Sequence, residues 1–153
     1  MKSNTVIFTE PYKAEIQEID CPKPGKSEVL IRTEQTLIST GTELTFLTGE
    51  CPEKSKWSEY IHYPQKSGYS NVGIIEEVGE GVSKDLIGKR VASFSGHSQY
   101  VIVNVNELRM INYEIKPEEA TFFALAETTI NGIRRTGIEL GNRVVVYGAG
   151  IVG

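Results

Sequence analysis

The last dozen residues limit what this chain can fold into more than any other stretch. Val144 to Tyr147 is a short β-branched and aromatic run without charge, which predicts a buried strand of a parallel sheet. Gly148, Gly150 and Gly153 follow it directly in the spacing G-x-G-x-x-G. That turn brings backbone close to a dinucleotide pyrophosphate where a strand hands over to a helix. The helix would start beyond Gly153, so the expectation is a second, α/β unit cut off at its first bend.

The preceding chain is β in character. Thr5 to Thr9 and Lys13 to Ile19 predict two strands around a turn at Pro11-Tyr12, and Cys21-Pro22-Lys23-Pro24-Gly25 is a cluster that no helix or central strand tolerates. Glu28 to Thr36 predicts a half-exposed strand, with Val29, Ile31 and Thr33 on one face and Glu28, Leu30, Arg32 and Glu34 on the other. Asn71 to Gly79 predicts another, with Val72, Ile74 and Val78 opposite Ile75 and Glu77. Val91 to Phe94 and Ser98 to Val105 complete the set. Strands broken by Pro/Gly turns at this spacing suggest a small barrel or sandwich.

Two stretches interrupt the β pattern. Leu37 to Glu50 predicts a short helix capped by Thr42 and ended by Gly49, while Cys51 to Tyr69 is polar and aromatic without a period and predicts a long loop. Later, Pro117 and two glutamates open a helix whose last turn holds Arg134 and Arg135, charges that complement the helix dipole. Phe122, Ala126, Ile130 and Ile133 form its apolar stripe, with a break around Phe123 and Ala124. The expected organisation is a barrel domain over 1–115, a linking helix region over 116–141, and the first strand and glycine turn of a dinucleotide-binding domain over 142–153.

Composition removes several function classes. The 153 residues carry a formal charge of -4 with scattered basic residues, so no phosphate-backbone footprint exists and nucleic acid is not an expected partner. No apolar run approaches the roughly 18 residues of a membrane span, and Met1 to Thr5 lacks the apolar core of a secretion signal. The expectation is a cytoplasmic protein without membrane partners. Cys21 and Cys51 are too few and too far apart for a disulfide framework or a four-cysteine zinc lobe.

Leu37 to Glu50, Gly68 to Gly79, Gly88-Lys89-Arg90-Val91 and Gly141 to Gly153 together, in this order, resemble the medium-chain dehydrogenase/reductase superfamily. These are alcohol-dehydrogenase-like proteins with an N-terminal GroES-like barrel and a following Rossmann domain. The resemblance implies a mainly β fold: a GroES-like, partly open β-barrel with short helices, then a linking helix and the first strand of a truncated Rossmann domain. It also implies NAD or NADP as cofactor, a small-molecule alcohol, carbonyl or enone-type substrate, and a homo-oligomeric parent, dimer or tetramer. The residue that chooses between NAD and NADP would lie beyond Gly153, and 153 residues by themselves are expected not to turn over.

The departures from the family pattern concern zinc. Zinc-dependent members carry a cysteine in a Cys-Gly-Ser/Thr-Asp turn, a His-Glu after a glycine, and a Cys, Asp or Glu near the start of the later helix. Here the matching residues are Thr40 in Thr40-Gly41-Thr42-Glu43, Tyr69-Ser70 after Gly68, and Phe123 or Ala124. None is a good zinc ligand, so no metal is expected. The substrate oxygen would then be polarised by hydrogen-bond donors, and the candidates are Thr40, Thr42 and Tyr69. Thr128 matches a threonine that lies against the nicotinamide in relatives, and Gly148, Gly150 and Gly153 are the candidate cofactor turn. Glu43 replaces an aspartate and is expected to anchor the turn. His97 and His62 are read as solvated or hydrogen-bonded loop histidines. The competing class is a non-enzymatic GroES-like barrel or interaction module.

Overall fold

A computed structural model describes residues 1–112 and 114–153. Two antiparallel sheets carry the fold, together with four α-helices and two short 3-10 helices among the described residues. Strands β1 (Lys2–Glu10), β2 (Lys13–Asp20) and β4 (Gln65–Lys66) form the smaller sheet in the order β2-β1-β4. The larger sheet runs β7-β3-β5-β6-β8, built from β3 (Glu28–Thr36), β5 (Asn71–Val78), β6 (Arg90–Ser93), β7 (Tyr100–Asn104) and β8 (Arg109–Met110). The mainly β class is as the sequence predicts.

Residues 97–99 join the two sheets. Val6 N–H donates to the His97 carbonyl at 2.9 Å, Gln99 N–H to Asn4 at 2.8 Å, and Thr33 N–H to Gln99 at 2.9 Å. The strip just before β7 therefore touches β1 on one side and β3 on the other. That continuity wraps the two sheets into one partly open barrel. Edge strand β2 exposes Ile16 among Lys13, Glu15, Glu18 and Asp20, charges that discourage edge-to-edge pairing with another chain.

The core lies on one face of the larger sheet, where Val29, Ile31, Ile75, Val91 and Val103 are buried together. Two irregularities in the β3–β5 ladder decide which side chains reach it. Leu30 pairs with Glu77 and Ile31 with Ile75, so Glu76 is an extra residue in β5; Glu34 is likewise extra in β3. Each bulge residue is a glutamate directed at an arginine, Glu76 to Arg32 at 2.6 Å and Glu34 to Arg90 at 2.8 Å. The bulge corrects the strict alternation expected for β5: Ile75 and Val78 share the core, while Val72 packs on the opposite side with Ala92 and Ala120. Leu30 is also buried, so β3 is covered on both faces at its centre.

Several other expectations change. The predicted long loop contains helix α2 (Trp57–Tyr60) and strand β4, whose Ile7–Lys66 and Phe8–Gln65 pairs extend the smaller sheet. Helix α1 (Thr40–Thr48) starts at Thr40 with Ser39 as its N-cap, so Thr42 sits inside the helix and is not its cap. Gly49 ends it as expected, with its N–H on the Thr45 carbonyl. The linking helix is two helices, α3 (Pro117–Ala120) and α4 (Phe123–Thr136), with the break at Thr121–Phe122.

That break rotates the buried face. Ala120, Thr121, Ala124 and Leu125 are covered, whereas Phe122, Ala126, Ile130 and Ile133 of the predicted stripe are exposed. Phe123 packs at a tilt against Phe94 with centroids 5.0 Å apart, and Arg109 reaches over Phe94 to Glu127 at 3.0 Å, fixing α4 beside β6 and β8. Val144 to Tyr147, predicted as a buried strand, forms no ladder and is 55–95% exposed. A parallel strand is stable only between neighbours, and no described strand lies beside it.

Candidate functional site

Helix α1 begins where β3 leaves the larger sheet, and Glu43 fixes that beginning. The Ser39 side chain makes no capping bond. Instead Glu43 Oε1 accepts the Ser39 N–H at 2.7 Å, while the Glu43 N–H returns to the Ser39 carbonyl at 3.0 Å. A helix start leaves such donors unsatisfied, and a carboxylate there also favours the positive end of the helix dipole. The sequence expectation that Glu43 anchors this turn describes these bonds. Thr40 and Thr42 are thereby presented on the first turn of α1.

A cleft of about 400 Å³ opens beside this turn. Thr40, Thr42, Tyr69, Thr128, Gly148, Gly150 and Gly153 all line it, with Ser39, Leu125 and Tyr147 between them. Four separate segments therefore meet: the start of α1, the residue before the Ser70–β5 entry, the middle of α4, and the C-terminal glycine turn. The turn needs its glycines at two points. Gly148 has φ +95°, and a Cβ on Gly153 would stand 2.5 Å from the Gly148 carbonyl oxygen.

The hydroxyls in the cleft differ in availability. Thr128 Oγ1 donates to the Ala124 carbonyl one turn back at 3.0 Å, so its hydrogen is engaged within α4 and only its lone pairs face the cleft. Thr40, Thr42 and Tyr69 have no side-chain hydrogen bond to any described residue, which leaves three neutral donors around one space. Among the described residues, no group of three or more His, Cys, Asp or Glu side chains comes together in a metal-holding arrangement. In the cleft itself Thr40 and Tyr69 offer neutral oxygens, a donor set that does not fit catalytic zinc, which takes thiolate, imidazole or carboxylate.

A second cavity of about 400 Å³ lies on the other side of Thr40, under α1. Val6, Phe8, Leu44 and Leu47 form its apolar walls, and Glu43, Ser67 and His97 its polar floor. Glu43 Oε2 accepts the Ser67 hydroxyl at 2.8 Å and faces His97 Nε2 at 2.7 Å. Burial pushes the Glu43 carboxyl upward, but hydrogen bonds from His97, the Ser39 N–H and the Ser67 hydroxyl outweigh it, so its pKa lies below the ordinary value. His97 is thus the hydrogen-bonded of the two alternatives read from the sequence, with Glu43 as its partner. Its 54-residue separation from Glu43 hides the pairing in the sequence. His62 is exposed in the segment after α2 and lines neither cavity.

No family model matches the chain. It is 28% identical over 178 aligned positions to an alcohol dehydrogenase of Geobacillus stearothermophilus, covering 95% of this chain and 50% of that protein. Among solved structures, it is similar to a quinone oxidoreductase from Coxiella burnetii, with TM-score 0.76, 16% identity, and coverage of 92% of this chain and 47% of that one. It is also similar to a dehydrogenase from Sinorhizobium meliloti, described as zinc-binding and bound to NADP, with TM-score 0.73, 19% identity, and 92% and 47% coverage. The chain therefore spans about half the length of the proteins it matches. No described helix is long and apolar enough to cross a membrane.

Proposed function

We propose that this chain, whose relatives and structural neighbours are zinc-type alcohol-dehydrogenase-like proteins of the medium-chain dehydrogenase/reductase superfamily, forms the substrate-side half of a nicotinamide-dependent oxidoreductase that works without zinc. The observation carrying this reading is the meeting of Thr40, Thr42 and Tyr69 with the Gly148–Gly153 turn around one cleft. The parent reaction is hydride transfer between NAD or NADP and an alcohol, carbonyl or enone-type substrate. Because the chain spans half the length of its relatives, turnover is proposed for the whole protein and not for these 153 residues alone.

In this reading Gly148, Gly150 and Gly153 would hold the pyrophosphate through backbone approach, and Thr128 would lie on the nicotinamide side of the cleft. When bound, the nicotinamide supplies or accepts the hydride. The chain's own part is to hold the substrate oxygen. Thr40, Thr42 and Tyr69 each supply an O–H donor, and donors aimed at one oxygen stabilise negative charge developing on it. Tyr69 occupies the position where zinc-dependent relatives place a metal-binding histidine, and its phenol is the donor assigned to move a proton to or from that oxygen.

The test is turnover of an alcohol and enone panel by the whole protein with NAD(H) and NADP(H), with and without a strong chelator, beside metal analysis. The expected result is turnover that survives chelation in protein lacking stoichiometric zinc. Zinc at one per chain, or loss of turnover on chelation, overturns the metal-free reading. Absence of turnover with either nicotinamide across the panel favours the non-enzymatic barrel.

A further inference from the structure

We infer that His97 is a positioning residue for the cleft: by fixing Glu43 it holds the first turn of α1, and with it Thr40 and Thr42, in place. The inference rests on the reading of that cleft as the reaction site. His97 does not line the cleft, so it acts through Glu43 and not on substrate.

The geometry that supports this is a post standing on the seam between the two sheets. The His97 N–H donates to the Ser67 carbonyl at 2.8 Å, and its carbonyl accepts from Val6 at 2.9 Å. Its ring lies against Gly68, where a Cβ would come within 2.7 Å of ring Cδ2; a side chain there would push the imidazole aside. The ring is therefore fixed by β1, by the end of β4 and by its own backbone. From that position Nε2 meets Glu43 Oε2 at 2.7 Å, with both side chains less than one-tenth exposed.

Proton placement follows from the partners. A carboxylate with the Ser39 N–H on one oxygen and the Ser67 hydroxyl on the other is held in its ionised, accepting form. Nε2 must then carry the hydrogen it gives to Glu43. His97 Nδ1 is buried without a partner among the described residues, so the ring's single contact of consequence is the one to Glu43. Without it, Glu43 would keep two neutral donors, the Ser39 N–H would lose a fixed acceptor, and the start of α1 would be free to fray.

The experiment is an amide NMR comparison on the ¹⁵N-labelled 153-residue chain. The Ser39 amide, bonded to a carboxylate, is expected downfield and to titrate with Glu43. In His97→Leu, the Ser39 to Thr42 amides shift, Ser39 loses its downfield displacement, and the titration inflection moves to higher pH, while amides of Val29 and Ile31 stay in place. His97 is the one titratable side chain acting on Glu43 among the described residues, Ser39 and Ser67 being neutral. His97→Gln, whose amide can donate to the same oxygen, restores both signals. Unchanged Ser39–Thr42 amides and an unmoved inflection in His97→Leu overturn the inference. Should that variant not fold, Glu43→Gln is read at the same amides, and their staying in place overturns it equally. Titrating the whole protein with NADH and NADPH tests the cleft reading separately, since its failure leaves these amide signals untouched.

Discussion

His97 Nε2 lies 2.7 Å from Glu43 Oε2 across 54 residues of sequence, and this pair makes the Glu43 carboxylate one contributor to acid stability. The folded pKa of Glu43 is lowered from an ordinary value of 4.5. For a depressed carboxyl, the stabilisation is fully present above the unfolded pKa and disappears as pH falls through the folded one. Urea midpoints of the wild-type chain and Glu43→Gln, measured from pH 7 down to pH 3, are therefore expected to converge below about pH 4.5. A gap that stays constant across that range would contradict the assignment.

The core prediction separates two isoleucines. Ile75 is fully buried at the centre of the larger sheet, so Ile75→Ala is expected to cost about 2–5 kcal/mol in equilibrium unfolding. Ile130 belongs to the apolar stripe expected from sequence but is 49% exposed. Ile130→Ala should stay within about 0.5 kcal/mol of wild type. Equal losses at the two sites would mean that α4 buries a different face.

Gly153→Ala tests the turn. The added methyl would stand 2.5 Å from the Gly148 carbonyl oxygen, so the turn must open to admit it. Residues 148–153 are exposed, and the change should leave thermal stability nearly unaltered. In the whole protein, nicotinamide binding followed by calorimetry is expected to weaken at least tenfold, about 1.4 kcal/mol. Unchanged affinity would remove the turn from the binding site.

Tyr69→Phe tests the proton-handling donor. Removing one well-placed acid-base group lowers a rate by roughly 10²-fold or more. The whole protein's kcat should fall by that order with little change in KM, and Thr128→Val, whose hydroxyl hydrogen is already engaged in α4, should change kcat far less. A Tyr69→Phe enzyme with normal kcat would return Tyr69 to a packing role.

What could be read from the sequence was governed by locality. Strand β3 is visible to the residue because its β-branched centre and flanking Pro/Gly cluster are local signals. Of the seven proposed cleft residues, the three glycines are marked by a short motif and Thr40, Thr42, Tyr69 and Thr128 by the family resemblance, while their meeting in one space depends on tertiary structure. The bulge at Glu76 carries no local mark, so alternation alone places Val78 opposite Ile75 although the two share the core. Strand β4 is two residues long and exists only by pairing with β1, which periodicity cannot detect. Val144 to Tyr147 shows the reverse case, a strong strand-forming sequence without adjacent strands to complete a ladder. The partner of His97 has no local signal, because Glu43 lies 54 residues away in the chain.

The four outward-facing side chains from Val144 to Tyr147 have a practical consequence for anyone handling the polypeptide. Strand-formers left bare in a row are adhesive, and a second molecule can add to them edge to edge. In a concentrated preparation of these 153 residues, this run adds to the apolar surface that favours association. A lysine at Val145, which is 74% exposed and outside both sheets, would weaken that association.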